Sequence, residues 1–388
     1  MANDYQGYSG SDWARAAATT LADHVREEEQ AWIRNYQMGA LLESQGRITY
    51  NAAGRGFDWP VRYRVHELEA NTGETSRNFA RRNLNIVANL PYRGYQATDL
   101  IYEREMLENR GEAAVVRVFE NLVGRLEESM KQGLATQWYI DGNATGNTLL
   151  WHGLESIFAT NGTVNSTSGA QRTATAADYV AYPSDTYAGI STILGNYGGE
   201  NESGQYWPDG VADEEYDFWT PLIVNYTSTS FGGTADTWAA QGDEAMRYGI
   251  IHSQRNTSLD GQMTNIFLNR TRYFEMLNLM DGKEQINITS DNELRALGFK
   301  NTFVFDGVTV SWETAVPNTS PHEDGTRAMA GYGINFKCLE LKCMYDTLFK
   351  TEGPEYDMDT QGYKAVVKTL SNLRLSSPRN FLKLISMA

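Results

Sequence analysis

The strongest constraint on this chain lies at Glu112 to Tyr139, EAAVVRVFENLVGRLEESMKQGLATQWY, where Val115, Val118, Phe119, Leu122, Leu126, Met130, Leu134 and Trp138 recur three or four residues apart. That spacing lines one face of a helix. Arg117, Glu120, Arg125, Glu127, Glu128 and Lys131 fill the other faces, so the apolar stripe is one-sided and must lie on something, most simply a sheet. At 1.5 Å per residue the helix would run roughly 42 Å, whereas helices average about 11 or 12 residues. It reads as a spar along a flat molecule rather than as part of an enzyme core. Gly124 and Gly133 each weaken it by roughly 1 kcal/mol relative to alanine, and either marks a bend or the close approach of another chain.

Residues 1–10 are polar and read as an extended arm. From Ser11, a good N-cap, Trp13, Ala17, Leu21, Val25, Trp32 and Tyr36 predict an amphipathic helix ending near Gly39. Its stripe, with Trp13 and Trp32 its largest members, needs a partner on the body of the protein or on a neighbour. In residues 46–93, Trp59, Val61, Tyr63 and Val65 alternate with Pro60, Arg62, Arg64 and His66, and Leu84, Ile86, Ala88 and Leu90 give the return of a long hairpin. Pro60 fits an edge strand. A lone two-stranded ribbon is marginal in water, so this one is expected to find support on another subunit. It holds eight arginines against four acids in a chain of net charge −16. Arg62, Arg64, Arg77, Arg81 and Arg82 are therefore expected to pair with acids of adjacent subunits; the competing reading is a solvated hairpin on a monomer.

After the ribbon, Thr98–Glu108 predicts a short helix, and the spar is expected to stop at Asp141-Gly142-Asn143. Tyr187, Ile190 and Leu194 predict another helix. Asp209, Asp213, Glu214, Glu215 and Asp217 could hold a hard cation but lack the ordered spacing of a calcium loop, so a solvated acidic turn is the favoured reading. From residue 236 the chain turns regular, with helices at Asp243–Ser253 and Thr271–Met280 and strands at Thr264–Leu268 and Thr302–Trp312, an α/β pattern. Ile334–Met344 and Tyr363–Leu375 read as longer strands, candidates for the sheet under the spar.

With 388 residues, 41% of them hydrophobic, the chain can bury a large core in two or three subdomains. Its acidity argues against a dedicated nucleic-acid binder but suits a protein that encloses nucleic acid without sticking to it. Its 24 Arg against 9 Lys point to protein–protein contacts. No run reaches the length of a membrane span, and the N-terminus lacks a secretory signal, so cytoplasmic synthesis is expected. Cys338 and Cys343 read as free thiols on opposite faces of a strand. His24, His66, His152, His252 and His322 stand alone, and no phosphate loop, dinucleotide fingerprint or nucleophile motif occurs. No enzymatic activity, cofactor or metal is expected. The alternative in a different class is a carbohydrate-acting enzyme or sugar-binding module built on the aromatic and acidic loops.

The order of arm, basic hairpin, long helix, α/β region and returning strands resembles the major capsid protein of tailed double-stranded DNA bacteriophages, the Hong Kong 97-type fold. Three phrases carry the likeness: Tyr92-Arg93-Gly94-Tyr95-Gln96-Ala97-Thr98, the helix exit Tyr139-Ile140-Asp141-Gly142 followed by Gly153-Leu154, and the closing Asn372-Leu373-Arg374-Leu375-Ser376-Ser377-Pro378-Arg379. The resemblance implies an α+β fold with an N-terminal arm (1–45), an E-loop (46–93), a P-domain with the spine helix over a sheet (94–145), an A-domain (146–330) and returning strands (331–388). It further implies pentamers and hexamers closing into an icosahedral shell around a packaged double-stranded DNA genome, with portal, scaffolding and decoration proteins as partners, no membrane, and assembly of the virion in the host cytoplasm. A non-viral nanocompartment shell of the same fold is a second reading. Some relatives weld the E-loop to a neighbour through a Lys–Asn isopeptide bond; residues 46–93 contain no Lys, so a non-covalent shell is expected. The long N-terminal scaffolding segment of other relatives has no counterpart, so scaffolding is expected to be a separate or removed protein.

Overall fold

Glu112–Gln137 forms one helix of 26 residues in the computed structural model, which describes residues 36–66, 73, 81–104, 112–159, 174–201, 206–210, 212–255, 261–281, 302–321, 327–345 and 347–387. Leu122, Leu126, Met130, Leu134 and Trp138 are buried in one cluster with Val367 and Leu373, and the helix lies across strands Arg93–Tyr102 and Gly362–Leu375. Each such side chain contributes roughly 1.5–3 kcal/mol by leaving water. The expected support is thus a sheet. Gly362–Leu375 is its axis, flanked on one side by Arg93–Tyr102 over its whole paired length and on the other by Lys350–Asp357 and then Leu339–Met344, to which Ile48–Ala52 adds in parallel.

The second sheet has seven strands in the order Thr302–Phe305, Val308–Trp312, Asn265–Leu268, Met329–Ile334, Leu382–Ile385, Leu222–Asn225 and Val180–Ala181. Helices Trp238–Ser253 and Arg270–Asp281 cover one face, where Leu222, Val224, Ile266, Leu268, Leu382 and Leu384 are buried. Ile223, Phe267, Tyr332 and Ile385 point the other way, into the core that contains the long helix. Both faces are dry, as the near-continuous apolar strands require.

Several expectations are corrected. Thr98–Glu108 does not begin as a helix, because Arg93–Tyr102 pairs residue for residue with the long strand, and ten ladder partners outweigh a local helical preference. Ile334–Met344 is not one strand: Met329–Ile334 belongs to the seven-stranded sheet, and after a turn at Phe336–Cys338 the chain enters the other sheet as Leu339–Met344. It recrosses at Pro378–Asn380. Tyr187 and Ile190 sit in a two-residue hairpin, with Ala188 at φ +54° and Gly189 at φ +79° making the turn, not in a helix. Gly39 lies inside helix Gln37–Ser44 rather than at a helix end. The amphipathic stretch before it falls outside the described residues.

Candidate functional site

The three phrases that carry the family likeness, separated by up to about 280 residues, meet where the long helix ends. Arg93 Nη1 donates to the carbonyl oxygens of Gly142 (3.0 Å), Asn147 (3.1 Å) and Leu150, holding the loop after the helix. Tyr95 Oη donates to Gln137 Oε1 (2.9 Å) and accepts from the Trp151 backbone N–H (2.8 Å). Asn372, from the closing phrase, accepts the His152 N–H (3.0 Å) and donates to the Pro91 carbonyl (2.8 Å). Gly142 and Gly153 are glycines for a steric reason: a Cβ would sit 2.4 Å from the Trp151 carbonyl oxygen at the first, and 2.6–2.7 Å from three carbonyl oxygens of the helix terminus at the second. His152 is buried beside this knot. Burial first, and the Arg93 charge second, push its pKa down to about 3.

The ribbon is anchored next to it. Gly56–Arg62 pairs with Asn85–Pro91 in the register Gly56↔Pro91 to Arg62↔Asn85. Phe57, Trp59, Ala88 and Leu90 form its buried face, while Asp58, Pro60, Val87 and Asn89 look outward. Trp59 lies 6.4 Å from Trp219 and 6.5 Å from Tyr187, with the Arg374 guanidinium 5.1 Å above its ring. The Asn89 N–H donates to the Ala188 carbonyl (3.1 Å). The root of the ribbon thus has an apolar face to bury within its own chain, before any contact with another subunit. Its root rests on its own chain, because two aromatic residues two apart in a strand share a face and find Tyr187 and Trp219 waiting. The stretch between the strands, including Arg77, lies outside the described residues, as do Trp13 and Trp32.

The arginines divide. Arg62 and Arg81 are exposed. Arg82 is half-buried and engaged within the chain. Arg64 forms a two-pronged ion pair with Glu215 of the same chain, so an acid of this chain takes a cation expected to reach a neighbour. The acidic loop is not simply solvated either. Asp217 is buried, accepting from Arg255 Nε (2.7 Å) and Trp207 Nε1 (3.0 Å), with Arg379 Nη2 at 3.3 Å. Burial pushes its carboxyl up, but the Arg255 and Arg379 charges, with the hydrogen bonds from Trp207 and Arg255, together hold it below the ordinary range. Asp209 accepts from Tyr248 and faces His252 at 3.1 Å.

Two further buried acids had no spacing to betray them, since their partners lie far away in sequence. Glu155 is fully buried with Lys383, whose Nζ donates to it at 3.0 Å and to Ser320 Oγ at 2.8 Å; Tyr332 also donates to Glu155. Glu313 accepts from Tyr139 Oη at 2.7 Å, and burial raises its pKa to about 7. Tyr139 stacks on Tyr332 at 5.3 Å, so the helix terminus is tied to the seven-stranded sheet through two polar groups and one ring pair. Among the described residues no group of three or more His, Cys, Asp or Glu is placed to hold a metal ion, and no helix is long and apolar enough to cross a membrane.

No family model matches the chain, and no curated protein matches it in sequence. Its shape, however, matches solved capsids end to end. A subunit of the capsid of a native GTA particle superposes with a TM-score of 0.56 at 11% identity, covering 95% of this chain and 96% of that one. The capsid of cyanophage A-1(L) gives 0.53 at 13% identity, with 94% of each chain covered. The capsid of cyanophage P-SCSP1u gives 0.52 at 11% identity, covering 95% of this chain and 92% of that one. At such identities the likeness establishes the fold, which is of mixed α and β type.

Proposed function

We propose, from the premise that this chain carries the fold of a phage capsid subunit, that it is a major capsid protein. The observation that carries the reading is the match over 95% and 96% of the two chains to the GTA-particle capsid. In this reading pentamers and hexamers of the chain close into a non-covalent icosahedral shell around double-stranded DNA, assembled in the host cytoplasm with portal and scaffolding partners. Closed heterologous rings are what such a shell needs. Residues 1–45 serve as arm, 46–93 as E-loop, 94–145 with 331–388 as P-domain, and 146–330 as A-domain. Arg62, Arg77, Arg81, Arg82, Trp13 and Trp32 are its candidate contacts to sister copies, with Arg64 helping to brace the ribbon on Glu215.

The competing sugar-binding reading needs aromatic rings facing a cleft. Of the seven tryptophans among the described residues, six are buried and only Trp312 is half-exposed, which favours rings used as core. Negative-stain microscopy of the expressed protein tests the proposal. Closed shells uphold it, and a monodisperse monomer whose Trp fluorescence responds to sugars sinks it. Arg81→Glu with Arg82→Glu is expected to stop shell formation while circular dichroism shows the subunit still folded; normal shells from that double variant would remove the ribbon contact. Mature particles should run as single subunits on a denaturing gel, without crosslinked ladders.

A further inference from the structure

The closing phrase ends in Arg379, and the structure leaves its charge unbalanced. Arg379 is 8% exposed, and its Nε and Nη2 have no hydrogen-bond partner; the 3.3 Å approach to Asp217 Oδ1 is a charge contact without hydrogen-bond alignment. Asp217 gives its Oδ2 to Arg255 and Trp207, and its Oδ1, itself without a hydrogen bond, is the only part of a carboxylate near Arg379 among the described contacts. Two guanidinium groups thus share one carboxylate. Glu215, two residues away, is taken by Arg64. The crowding shows on Arg255, whose pKa burial lowers to about 10, with Asp217 opposing and Arg379 adding to the fall.

Arg379 also lines a cavity of about 370 Å³ between the ribbon strand and the segments Phe218–Trp219 and Ser376–Asn380. Arg62 stands on the ribbon side of it, Phe218 and Trp219 form an apolar wall, and Ser377 and Asn380 supply polar groups. A buried cation lacking its counter-charge is costly, and the usual remedy is an anion that hydrogen-bonds to it. Arginine's planar fork matches a carboxylate or phosphate in particular.

We propose that this cavity is an oxyanion site in which Arg379, buried, and Arg62, at the rim, bind one carboxylate or phosphate group. The group comes either from a free anion or from an Asp or Glu of a second copy of the chain. The site is complete within a single chain, so it stands or falls separately from the shell reading.

The test is the melting temperature of the unassembled full chain in sodium acetate or sodium phosphate, with sodium chloride at matched ionic strength as control. A ligand that binds only the folded state gives a saturable rise, and that is the expected result for both oxyanions and not for chloride. Arg62→Gln should weaken the apparent affinity about tenfold, the worth of one charge-assisted hydrogen bond. Arg379→Gln should abolish the response, and Asp217 keeps Arg255 in that variant. If Arg379→Gln does not melt cooperatively, the Arg62→Gln series decides alone. Equal responses to oxyanion and chloride, or an oxyanion response unchanged in the variants, overturn the site. Repeating the titration on assembled protein separates the two sources: a response lost on assembly assigns the group to a sister copy, and a response retained assigns it to a free anion.

Discussion

The two sheets of this chain solve the same packing problem in opposite ways. In the seven-stranded sheet every residue of Leu222–Asn225, Asn265–Leu268, Met329–Ile334 and Leu382–Ile385 is buried. In the five-stranded sheet Leu339–Met344 alternates buried with half-buried, and nearly all of edge strand Lys350–Asp357 is exposed. A sheet covered on one face can send its charges to water. Lys342, Lys364 and Lys368 do so, paired at the surface with Glu340, Asp357 and Glu352. A sheet covered on both faces cannot, so Lys383 in Leu382–Ile385 must bring its counter-ion inside, and Glu155 is that counter-ion. Where a charge is stranded between cores it becomes structural; where it reaches solvent it is dispensable.

That contrast can be broken at four places. The largest effect belongs to Lys383→Ala, which leaves the Glu155 carboxyl buried without its counter-ion; a loss of about 3–5 kcal/mol is expected in chemical denaturation. Restoring balance with Glu155→Gln alongside Lys383→Met should recover much of it, and a single variant as stable as wild type would refute the inside pairing. Next is Glu313, at the end of the seven-stranded sheet's Val308–Trp312. Its carboxyl is raised from 4.5 to about 7, so its contribution is fully present below about pH 4.5 and is lost as pH rises through 7, a swing of about 3 kcal/mol. Stability from melting curves should fall between about pH 4.5 and 7 and level off above pH 7, and Glu313→Gln should remove that slope.

His152, packed against Asn372 of the five-stranded sheet, works in the other direction. With its pKa lowered from 6.5 to about 3, its contribution is present above pH 6.5 and fades as pH falls, at about 1.4 kcal/mol per pH unit. His152→Asn should remove that part of the acid slope whatever it does to absolute stability; an unchanged slope would show that the ring is not held neutral. The smallest effect is at the exposed edge. Lys368→Ala removes the nearer of two lysines beside Glu352, and because the pair is at the surface the melting temperature should stay within error of wild type.

The long helix, the ribbon strands, Gly362–Leu375 and the turn at Asp306-Gly307 were all legible, because each rests on a periodic pattern or turn chemistry contained in a short stretch. Thr98–Glu108 reads as a helix although its first half is strand, because the identity of Arg93–Tyr102 as a strand depends on a partner more than 250 residues away. Ile334–Met344 reads as one strand because its apolar residues run on without a break, and only the bend at Phe336–Cys338 sends its two ends to different sheets. The acidic loop reads as solvated in sequence because nothing near Asp217 announces Arg255 or Arg379.

The order of amino acids alone determined which segments are helix or strand wherever hydrophobic period is local, and it concentrated arginine in the ribbon. Only the tertiary structure decided which charges lie inside and with whom, that the ribbon's root is clamped by Tyr187 and Trp219, and that three distant phrases tie one knot. The physical reason is range. Periodicity acts over a few residues through the geometry of the backbone, whereas the energy of a buried charge is set by whatever the fold places within a few ångströms of it, at any distance along the chain.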